Sequence, residues 1–243
     1  MNLFHLPFLP PAQQLASDDA LLESAESGKG GEVLLFWEPA ETFVVVGYAN
    51  QVRTEVNVPE CEKHGIPIFR RCSGGGTVVQ MPGGLNYSLI LKISDNFALQ
   101  NISTTNRFIM AKNCDAIAAI DPPRFPQGFS VRGHSDLCVG NLKFGGNSQR
   151  RRKNFLLFHG TLLLNCDLSL IERLLLMPSH QPEYRAQRSH LEFVANLNLS
   201  SEKIKIALAR AWQAGEELPN PPLEQIQKLA REKYSTPEWN HKF

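Results

Sequence analysis

The chain has 243 residues, of which 42% are hydrophobic and 20% charged, enough to build one large hydrophobic core. Its 25 basic and 24 acidic residues give a formal net charge of +1, so no overall field attracts it to nucleic acid or to an anionic membrane. No apolar run approaches the roughly 20 residues that span a bilayer, and the N-terminal segment lacks the basic start and long apolar core of a secretory signal. We therefore expect a cytoplasmic protein that binds neither nucleic acid nor membranes.

The cysteines are odd in number and scattered along the chain: Cys61, Cys72, Cys114, Cys138 and Cys166. None forms a CxxC pair or has the Cys/His spacing of a zinc site. Free thiols in a reducing compartment are the simplest interpretation, and we expect no metal centre built from protein ligands.

The first half of the chain is predicted to begin with a helix at 11–27, because leucines recur near one helical face there. A start at Ser17 or Asp18, either of which can cap a helix, is an alternative boundary. Segments rich in β-branched and aromatic residues then predict short strands, at 33–37, 43–47, 66–70 and 85–93. The turn between the first two of these strands favours a hairpin, and a glycine-rich loop separates the last two.

The second half is predicted to begin with a helix at 104–119, followed by a loop at 121–127 that contains three prolines. Strands are predicted at 137–139 and 155–164, on either side of a segment rich in glycine and arginine. Further helices are predicted at 167–176 with Asp167 as N-cap, at 201–213 and, after a proline-rich linker, at 222–234. Strands and helices are mixed without strict βαβ alternation, so we expect an α+β or mixed α/β fold rather than a doubly wound parallel sheet.

Two arginines precede the glycine-rich loop Ser73-Gly74-Gly75-Gly76-Thr77. Three consecutive glycines tolerate positive φ and leave their backbone N–H groups accessible, and successive N–H groups can form an anion-binding nest. The adjacent arginines suit a phosphate or a carboxylate. A flexible hairpin loop with two solvated arginines is the alternative, and neither the Walker nor the GxGxxG spacing is present.

Lys143 lies between a short predicted strand and a predicted Gly145-Gly146 turn. Its ammonium could neutralise the charge that builds up as a phosphate and a carboxylate join, or it could be a solvated lysine of a surface hairpin. The basic run that follows, at 150–153, has no interleaved aromatic residues and gives weak support for nucleic-acid binding. We interpret that run as a contact for an acidic protein partner or as a solvated loop.

His159 stands before a glycine at the start of a strongly apolar predicted strand. It could position a ligand, or it could be a half-buried histidine that is hydrogen-bonded to a neighbouring strand. The residue alone does not decide between these interpretations.

Taken in order, these motifs resemble the lipoate–protein ligase A family of the biotin/lipoate protein ligase superfamily. The resemblance rests on Arg-Arg-x-Ser-Gly-Gly-Gly-Thr-Val at 70–78, Asn86, Asp136-Leu137, Gly-x-x-Lys-Phe-x-Gly-x-Ser-Gln-Arg at 140–150, and His-Gly-Thr-Leu-Leu at 159–163. Similar segments on both sides extend the likeness over nearly the whole chain. It implies a class II biotin/lipoate ligase-like catalytic domain with a mixed, largely antiparallel sheet flanked by helices. That domain would span 1–243, with a short helical C-terminal extension from about 216 to 243.

The resemblance implies that the chain activates lipoate or octanoate with ATP and Mg²⁺ to lipoyl-AMP or its octanoyl equivalent, and then transfers the acyl group to a lysine. The implied acceptors are lipoyl domains of 2-oxoacid dehydrogenase complexes or the glycine cleavage carrier protein. By likeness, Lys143 is the catalytic residue at the acyl–phosphate linkage. The residues implied to bind lipoate or nucleotide are Arg71, Ser73, Gly74, Gly75, Gly76, Thr77, Asn86, Asp136, Gly146, Ser148, His159 and Thr161.

The sequence departs from the family pattern in two places. Gln80 stands where many members have a histidine, and the chain ends soon after Trp239, where longer members carry an accessory C-terminal domain. Some shorter members depend on a separate accessory protein for activation. Whether this chain activates the acid alone is therefore left open by the resemblance.

Two other functions also remain open at this point. An octanoyl or lipoyl transferase that uses a preformed acyl donor needs a thiolate nucleophile, for which Cys72 and Cys138 are the candidates, although neither matches the cysteine motifs of those transferases. A protein that only binds a lipoyl domain or an acyl-adenylate is the second alternative, and the intact Lys143 argues against it. Motif spacing does not distinguish a lipoate pocket from an octanoate pocket.

Overall fold

The computed structural model describes residues 1–7, 9–121, 124–126 and 128–243. The strands are β1 (Asn2–His5), β2 (Val33–Trp37), β3 (Phe43–Val46), β4 (Ile68–Arg70), β5 (Val78–Gln80), β6 (Gly84–Lys92), β7 (Phe129–Arg132), β8 (Asp136–Val139), β9 (Leu142–Arg151), β10 (Phe155–Leu163) and β11 (Glu216–Glu217). The helices are α1 (Pro11–Glu26), α2 (Val52–Glu55), α3 (Val58–Lys63), α4 (Ile102–Ala118), α5 (Ser169–Leu174), α6 (His190–Phe193), α7 (Ser201–Trp212), α8 (Leu223–Leu229) and α9 (Pro237–Asn240).

The larger sheet contains eight strands in the order β11-β1-β2-β6-β10-β9-β8-β7. β1 pairs in parallel with both β2 and β11. Every neighbouring pair from β2 across to β7 is antiparallel. The predicted mixed, largely antiparallel sheet flanked by helices is therefore confirmed.

Helices cover both faces of this sheet. Leu34 and Phe36 of β2 share one core cluster with residues of α4 and α7, whereas Val33 and Leu35 share a second cluster with residues of α1 and α8. Because β2 is buried on both faces, its sequence is a continuous apolar run rather than an alternating one. The functional residues described below lie on the α1 face.

The smaller sheet has β3 at its centre, with β4 parallel on one side and β5 antiparallel on the other. The predicted hairpin of β2 with β3 is therefore wrong. All residues of both strands are buried, so each strand needs partners on both edges and cover on both faces, which an isolated hairpin cannot provide. β1, which the sequence pattern did not predict, takes the position beside β2.

The segment rich in glycine and arginine is the ten-residue strand β9, so the predicted Gly145-Gly146 turn is wrong. A Cβ at Gly145 would lie 2.7 Å from Leu162, and one at Gly146 would lie 3.0 Å from Lys143 Nζ. Both strand positions favour glycine, because neighbouring side chains occupy the space that a Cβ would take.

The basic run at 150–153 is only partly solvated. Arg150 donates to the carbonyl of Cys72 and lies 3.5 Å from the Asp19 carboxylate. Arg151 donates to the carbonyl of Leu99. Because these two side chains stabilise the fold itself, the interpretation of the whole run as a solvated loop is wrong.

The longer predicted helices are confirmed as α1, α4, α7 and α8, the last continuing as a π-helical turn at Ala230–Tyr234. The alternative start of the first helix is wrong, since Ser17 and Asp18 lie inside α1. α5 begins at Ser169, and the Asp167 carboxylate accepts hydrogen bonds from the N–H and hydroxyl of that serine. The predicted loop at 121–127 includes Pro122, Pro123 and Gln127, which lie outside the described residues. No described helix is both long and apolar enough to cross a membrane.

Two buried charged side chains attach the C-terminal segment to the rest of the chain. Arg70 is fully buried and donates to the carbonyls of Trp239 and Asn240, as well as to three carbonyls that follow β3. Asp19 of α1 accepts hydrogen bonds from Lys233 and Tyr234. The segment therefore packs against the residues that lead directly into the glycine-rich loop.

Candidate functional site

The glycine-rich loop crosses over the end of β3, because it joins two strands that lie on opposite sides of β3. Its backbone is attached there by Arg71 N–H, which donates to Val46, and by Tyr48 N–H, which donates to Ser73. A Cβ at Gly47 would lie only 2.1 Å from the Gly75 carbonyl oxygen. Gly47 is required at this crossing because no larger residue leaves space for the loop.

Inside the loop, carbonyl groups are occupied and N–H groups are not. The Arg71 guanidinium donates to the carbonyls of Gly74 and Gly76, and the Ser148 hydroxyl donates to Gly74. In the described part of the chain, the N–H groups of Gly74, Gly75 and Gly76 have no acceptor. Gly75 has a φ of +85°, which favours glycine. Three unpaired N–H groups beside a buried arginine make a nest for an anion.

Arg71 is itself held tightly in this arrangement. Burial lowers the pKa of its guanidinium to about 10, which still leaves it charged at neutral pH. Its contacts therefore add a fixed positive charge behind the loop.

Strand register places four of the predicted site residues in one row across the large sheet. Thr161 of β10 lies opposite both Asn86 of β6 and Gly146 of β9, and Gly146 lies opposite Asp136 of β8. Trp37 of β2 extends the row beyond Asn86. Directly paired residues point to the same face, so motifs far apart in the sequence form one surface.

The next row on this face consists of Ser88, His159 and Ser148. His159 Nδ1 lies 2.6 Å from the Asp18 carboxylate, whose other oxygen accepts from the Ser88 hydroxyl. Its Nε2 lies 2.5 Å from the Ser73 hydroxyl. His159 thus connects α1 with the glycine-rich loop.

Lys143 forms an ion pair with Asp136, with 2.7 Å between Nζ and Oδ1. The second oxygen of Asp136 accepts a hydrogen bond from the Tyr184 hydroxyl. Burial, followed by the Asp136 charge, raises the pKa of Tyr184 well above its ordinary range, so this phenol stays protonated and donates. The ammonium is therefore a positioned cation, not a solvated one.

Two residues of the first row, Asn86 and Thr161, form a closed hydrogen-bonded set with Gln80. Gln80 donates to Asn86 and Thr161, Asn86 donates back to Gln80, and the Thr161 hydroxyl donates to Asn86. Gln80 is the residue that departs from the family pattern. Here it completes a hydrogen-bonded floor with two of the predicted site residues.

All of these groups surround one cavity of about 1020 Å³. Leu15, Trp37, Val45 and Val79 line an apolar part, and Asp136 and Lys143 belong to a polar part. Every residue predicted for the site lines this cavity except Ser73 and Gly74. These two lie behind the lining: Ser73 is hydrogen-bonded to His159, and Gly74 to Ser148. The cavity is at the upper end of the size range for small-molecule sites.

The sequence analysis missed several residues that line the same cavity, namely Asp18, Asn50, Glu55, Tyr184 and His190. Burial lowers the pKa of His190, whose Nε2 faces the carbonyl of Leu176. Asp18 gave no distinct signal in the sequence, because it is one of several polar residues of α1. The remaining residues come from loops or from helices of one turn, which are too short to show a periodic pattern.

None of the five cysteines, all of which the structure describes, lines the cavity. All are buried and free. Burial raises the pKa of Cys72 to about 12 and also raises that of Cys138. Neither side chain is a reactive thiolate in this structure.

Comparison with known proteins identifies a family model and several similar chains. A sequence model of the lipoyl protein ligase A/B catalytic domain matches residues 10–211. An octanoyltransferase LipM from Geobacillus kaustophilus is 26% identical over 268 residues, which cover 97% of this chain and 95% of the relative. The bipartite lipoate protein ligase of Thermoplasma acidophilum, studied with its E2 lipoyl domain, has a TM-score of 0.83 and 25% identity over 99% of this chain and 95% of that one. A lipoate-protein ligase A bound with ATP has a TM-score of 0.80 and 25% identity, covering 99% and 98%.

Proposed function

We propose that this chain, which belongs to the lipoyl protein ligase A/B catalytic domain family, is a lipoate–protein ligase. It joins lipoate or octanoate to the α-phosphate of ATP and transfers the acyl group from the resulting acyl-adenylate to a lysine of a lipoyl domain. The observation that carries the proposal is that Lys143, held by an ion pair, and Gly75 and Gly76, whose N–H groups are unpaired, line one cavity that contains no thiol.

The activation step brings two anions together. As the carboxylate attacks the α-phosphate, negative charge accumulates on the phosphate oxygens and pyrophosphate leaves. Lys143 and the N–H groups of Gly75 and Gly76 oppose that charge from groups that are already positioned, and such preorganised electrostatic stabilisation is usually the largest single contribution to catalysis. Arg71 supports the same loop from behind.

The apolar part of the cavity suits the acyl chain. Leu15, Trp37 and Val45 line it, are almost completely buried, and carry no hydrogen-bonding group in their side chains apart from the Trp37 indole N–H. A volume of about 1020 Å³ accommodates an acyl chain together with a nucleotide. Enclosure on this scale also protects a mixed anhydride from water.

ATP and Mg²⁺ are compatible with the donors present. When bound, Mg²⁺ would reduce the negative charge of the phosphates. Asp136 is the carboxylate beside Lys143, and both of its oxygens already have partners. The ion would therefore be held mainly by phosphate and water, and the protein would contribute the cation and the N–H nest.

The competing transferase function is named in a 26% identical relative, so it is the alternative to test. A cysteine route needs a thiolate that reaches the acyl donor. Cys72 and Cys138 are buried outside the cavity with raised pKa values. These observations favour the adenylate route for this chain.

The acceptor and accessory partner are part of the same proposal. The archaeal neighbour is a bipartite ligase that was studied with a lipoyl domain. By that likeness we propose a lipoyl domain as acceptor and a separate accessory protein as a candidate partner in activation.

Lipoate-dependent ATP–pyrophosphate exchange tests the activation step. We expect exchange by the wild-type chain, loss of at least about 100-fold in Lys143→Ala from removal of a charged transition-state contact, and full activity in the exposed control Lys153→Ala. Exchange that is undiminished in Lys143→Ala would contradict the assigned role of Lys143. The assay is run with and without candidate accessory protein.

A further inference from the structure

Transfer of the acyl group requires a proton acceptor. The acceptor lysine enters as an ammonium and attacks only after it loses a proton. In the step itself, a bond forms between its Nζ and the acyl carbon, the bond from that carbon to the phosphate oxygen breaks, and the electron pair leaves with AMP. A base positioned in the cavity would accept the ammonium proton before attack, and the proton left on the nitrogen as the amide forms would pass to solvent.

Most titratable groups in the cavity are engaged in other contacts. Lys143 and Asp136 are paired with each other, Glu55 accepts from the Ser179 hydroxyl, and His190 faces a backbone carbonyl. His134 and His180 also line the cavity, but they are exposed and no carboxylate in the described part of the chain orients them.

His159 differs from these groups because both ring nitrogens have defined partners. Nδ1 lies 2.6 Å from Asp18, whose carboxylate is buried and is also bound by Ser88. An ionised carboxylate only accepts, so Nδ1 of the neutral ring carries the hydrogen and Nε2 has a free lone pair. The Ser73 hydroxyl lies 2.5 Å from Nε2, and in this tautomer the hydroxyl is the donor. Nε2 is therefore a preformed acceptor at the edge of the glycine-rich loop.

We infer that His159 is the general base of the transfer step and that Asp18 is its positioning residue. This inference rests on the proposed function and extends it to the second half-reaction. The acceptor amine takes the place of the Ser73 hydroxyl as donor to Nε2. Its proton passes to His159, and Asp18 stabilises the resulting imidazolium, as a buried carboxylate does for a catalytic histidine in other acyl-transfer enzymes.

The architecture supplies the components of this role. β10 holds His159 in the row next to Thr161, and α1 fixes Asp18 against it, so the ring cannot turn away. Gly75 and Gly76 line the same cavity, and their unpaired N–H groups are donors for the oxyanion that develops on the acyl oxygen. Ser73 is therefore the residue between the proposed base, which contacts its hydroxyl, and the glycine N–H groups, which follow it in the sequence.

The test separates the two half-reactions with His159→Asn. The amide N–H of asparagine can take the position of Nδ1 and keep the bond to Asp18, while the Nε2 acceptor is removed. Preformed lipoyl-AMP serves as donor and an apo lipoyl domain as acceptor, so transfer is measured whether or not the chain activates lipoate. We expect kcat for transfer to fall by about 100-fold or more, with little change in KM for the acceptor. Asp18→Asn should lower kcat less, and the exposed His64→Gln should have no effect.

A second readout excludes a merely structural role. Hydroxylamine is unprotonated at neutral pH, so capture of the acyl-adenylate as hydroxamate from lipoate and ATP needs no base. Hydroxamate formation should therefore persist in His159→Asn while lysine transfer is lost. Equal loss of both, unchanged lysine transfer, or a covalent acyl adduct on Ser73 found by mass spectrometry would overturn the inference. Absence of hydroxamate in the wild type alone would refute only the proposed activation.

Discussion

Gly160→Ala should destabilise the protein through a single neighbouring side chain. A Cβ at this position would lie 1.8 Å from Asn147 Oδ1 and 2.7 Å from its Cγ, distances that force the Asn147 side chain to move. That side chain accepts from the buried Tyr87 hydroxyl and donates to the Ser135 carbonyl. Displacing it therefore breaks two hydrogen bonds in the wall of the cavity.

The magnitude follows from those losses. Two broken bonds cost about 1 kcal/mol each, and the displaced side chain adds about 1 kcal/mol of overpacking. A loss of about 3 kcal/mol lowers the melting temperature by about 6–12 °C in a chain of this length. Thermal unfolding followed by circular dichroism measures it. Gly215→Ala is the matched control, because a Cβ there meets nothing within 4 Å.

A double-mutant cycle tests the assignment to Asn147. In the background Asn147→Ala, the two clashing side-chain atoms are absent and the tight contact that remains is the Gly146 carbonyl oxygen, 3.0 Å from the new Cβ. Gly160→Ala should therefore add less than about 1 kcal/mol there. Strictly additive effects in the cycle, or a melting temperature of Gly160→Ala equal to that of Gly215→Ala, would refute the reasoning.

Three further predictions concern the loop, the thiols and the C-terminal segment. Gly75→Ala should weaken ATP binding, measured by calorimetry, by about tenfold or more, because the φ of Gly75 is +85° and Arg71 lies 3.1 Å from the new Cβ. If Gly75→Ala binds ATP as tightly as the wild type, the glycine N–H groups do not form the nest. Cys72→Ser and Cys138→Ser should retain acyl transfer, and the native Cys72 thiol should resist alkylation at pH 8, since its pKa of about 12 keeps it protonated. If either variant loses transfer but still binds lipoate, the result would support a thiol route. Arg70→Lys should lower the free energy of unfolding by about 3 kcal/mol and increase proteolysis after residue 229, because an ammonium cannot donate to all five carbonyls that Arg70 contacts. An unchanged cleavage pattern would show that other contacts hold the C-terminal segment.

The sequence predicted long helices well and the strand assembly less well. α4 and α7 combine apolar periodicity with polar residues at their N-terminal ends, and both helices were predicted within two residues. β9 escaped prediction because glycine and arginine have low strand propensity, and its place between β8 and β10 overrides that preference. The same limit explains the wrong hairpin, since pairing partners depend on the whole sheet.

The candidate site was predicted as separate motifs rather than as a surface. Asn86 and Thr161 are 75 residues apart in the sequence, yet register brings them into contact. The bond from His159 to Asp18 spans 141 residues and joins a strand to a helix. No local pattern encodes such a contact, because the sequence alone does not show that Asp18 and Asp19 are buried and need partners.

Intact-mass analysis of an apo lipoyl domain tests the central claim most directly. The domain is incubated with this chain, lipoate, Mg²⁺ and ATP, with and without an accessory protein, and in parallel with an octanoyl thioester in place of lipoate and ATP. The proposed ligase adds one lipoyl group to one lysine only when ATP is present, and Lys143→Ala does not add it. Acylation from the thioester without ATP, abolished by Cys72→Ser or Cys138→Ser, would contradict the adenylate route.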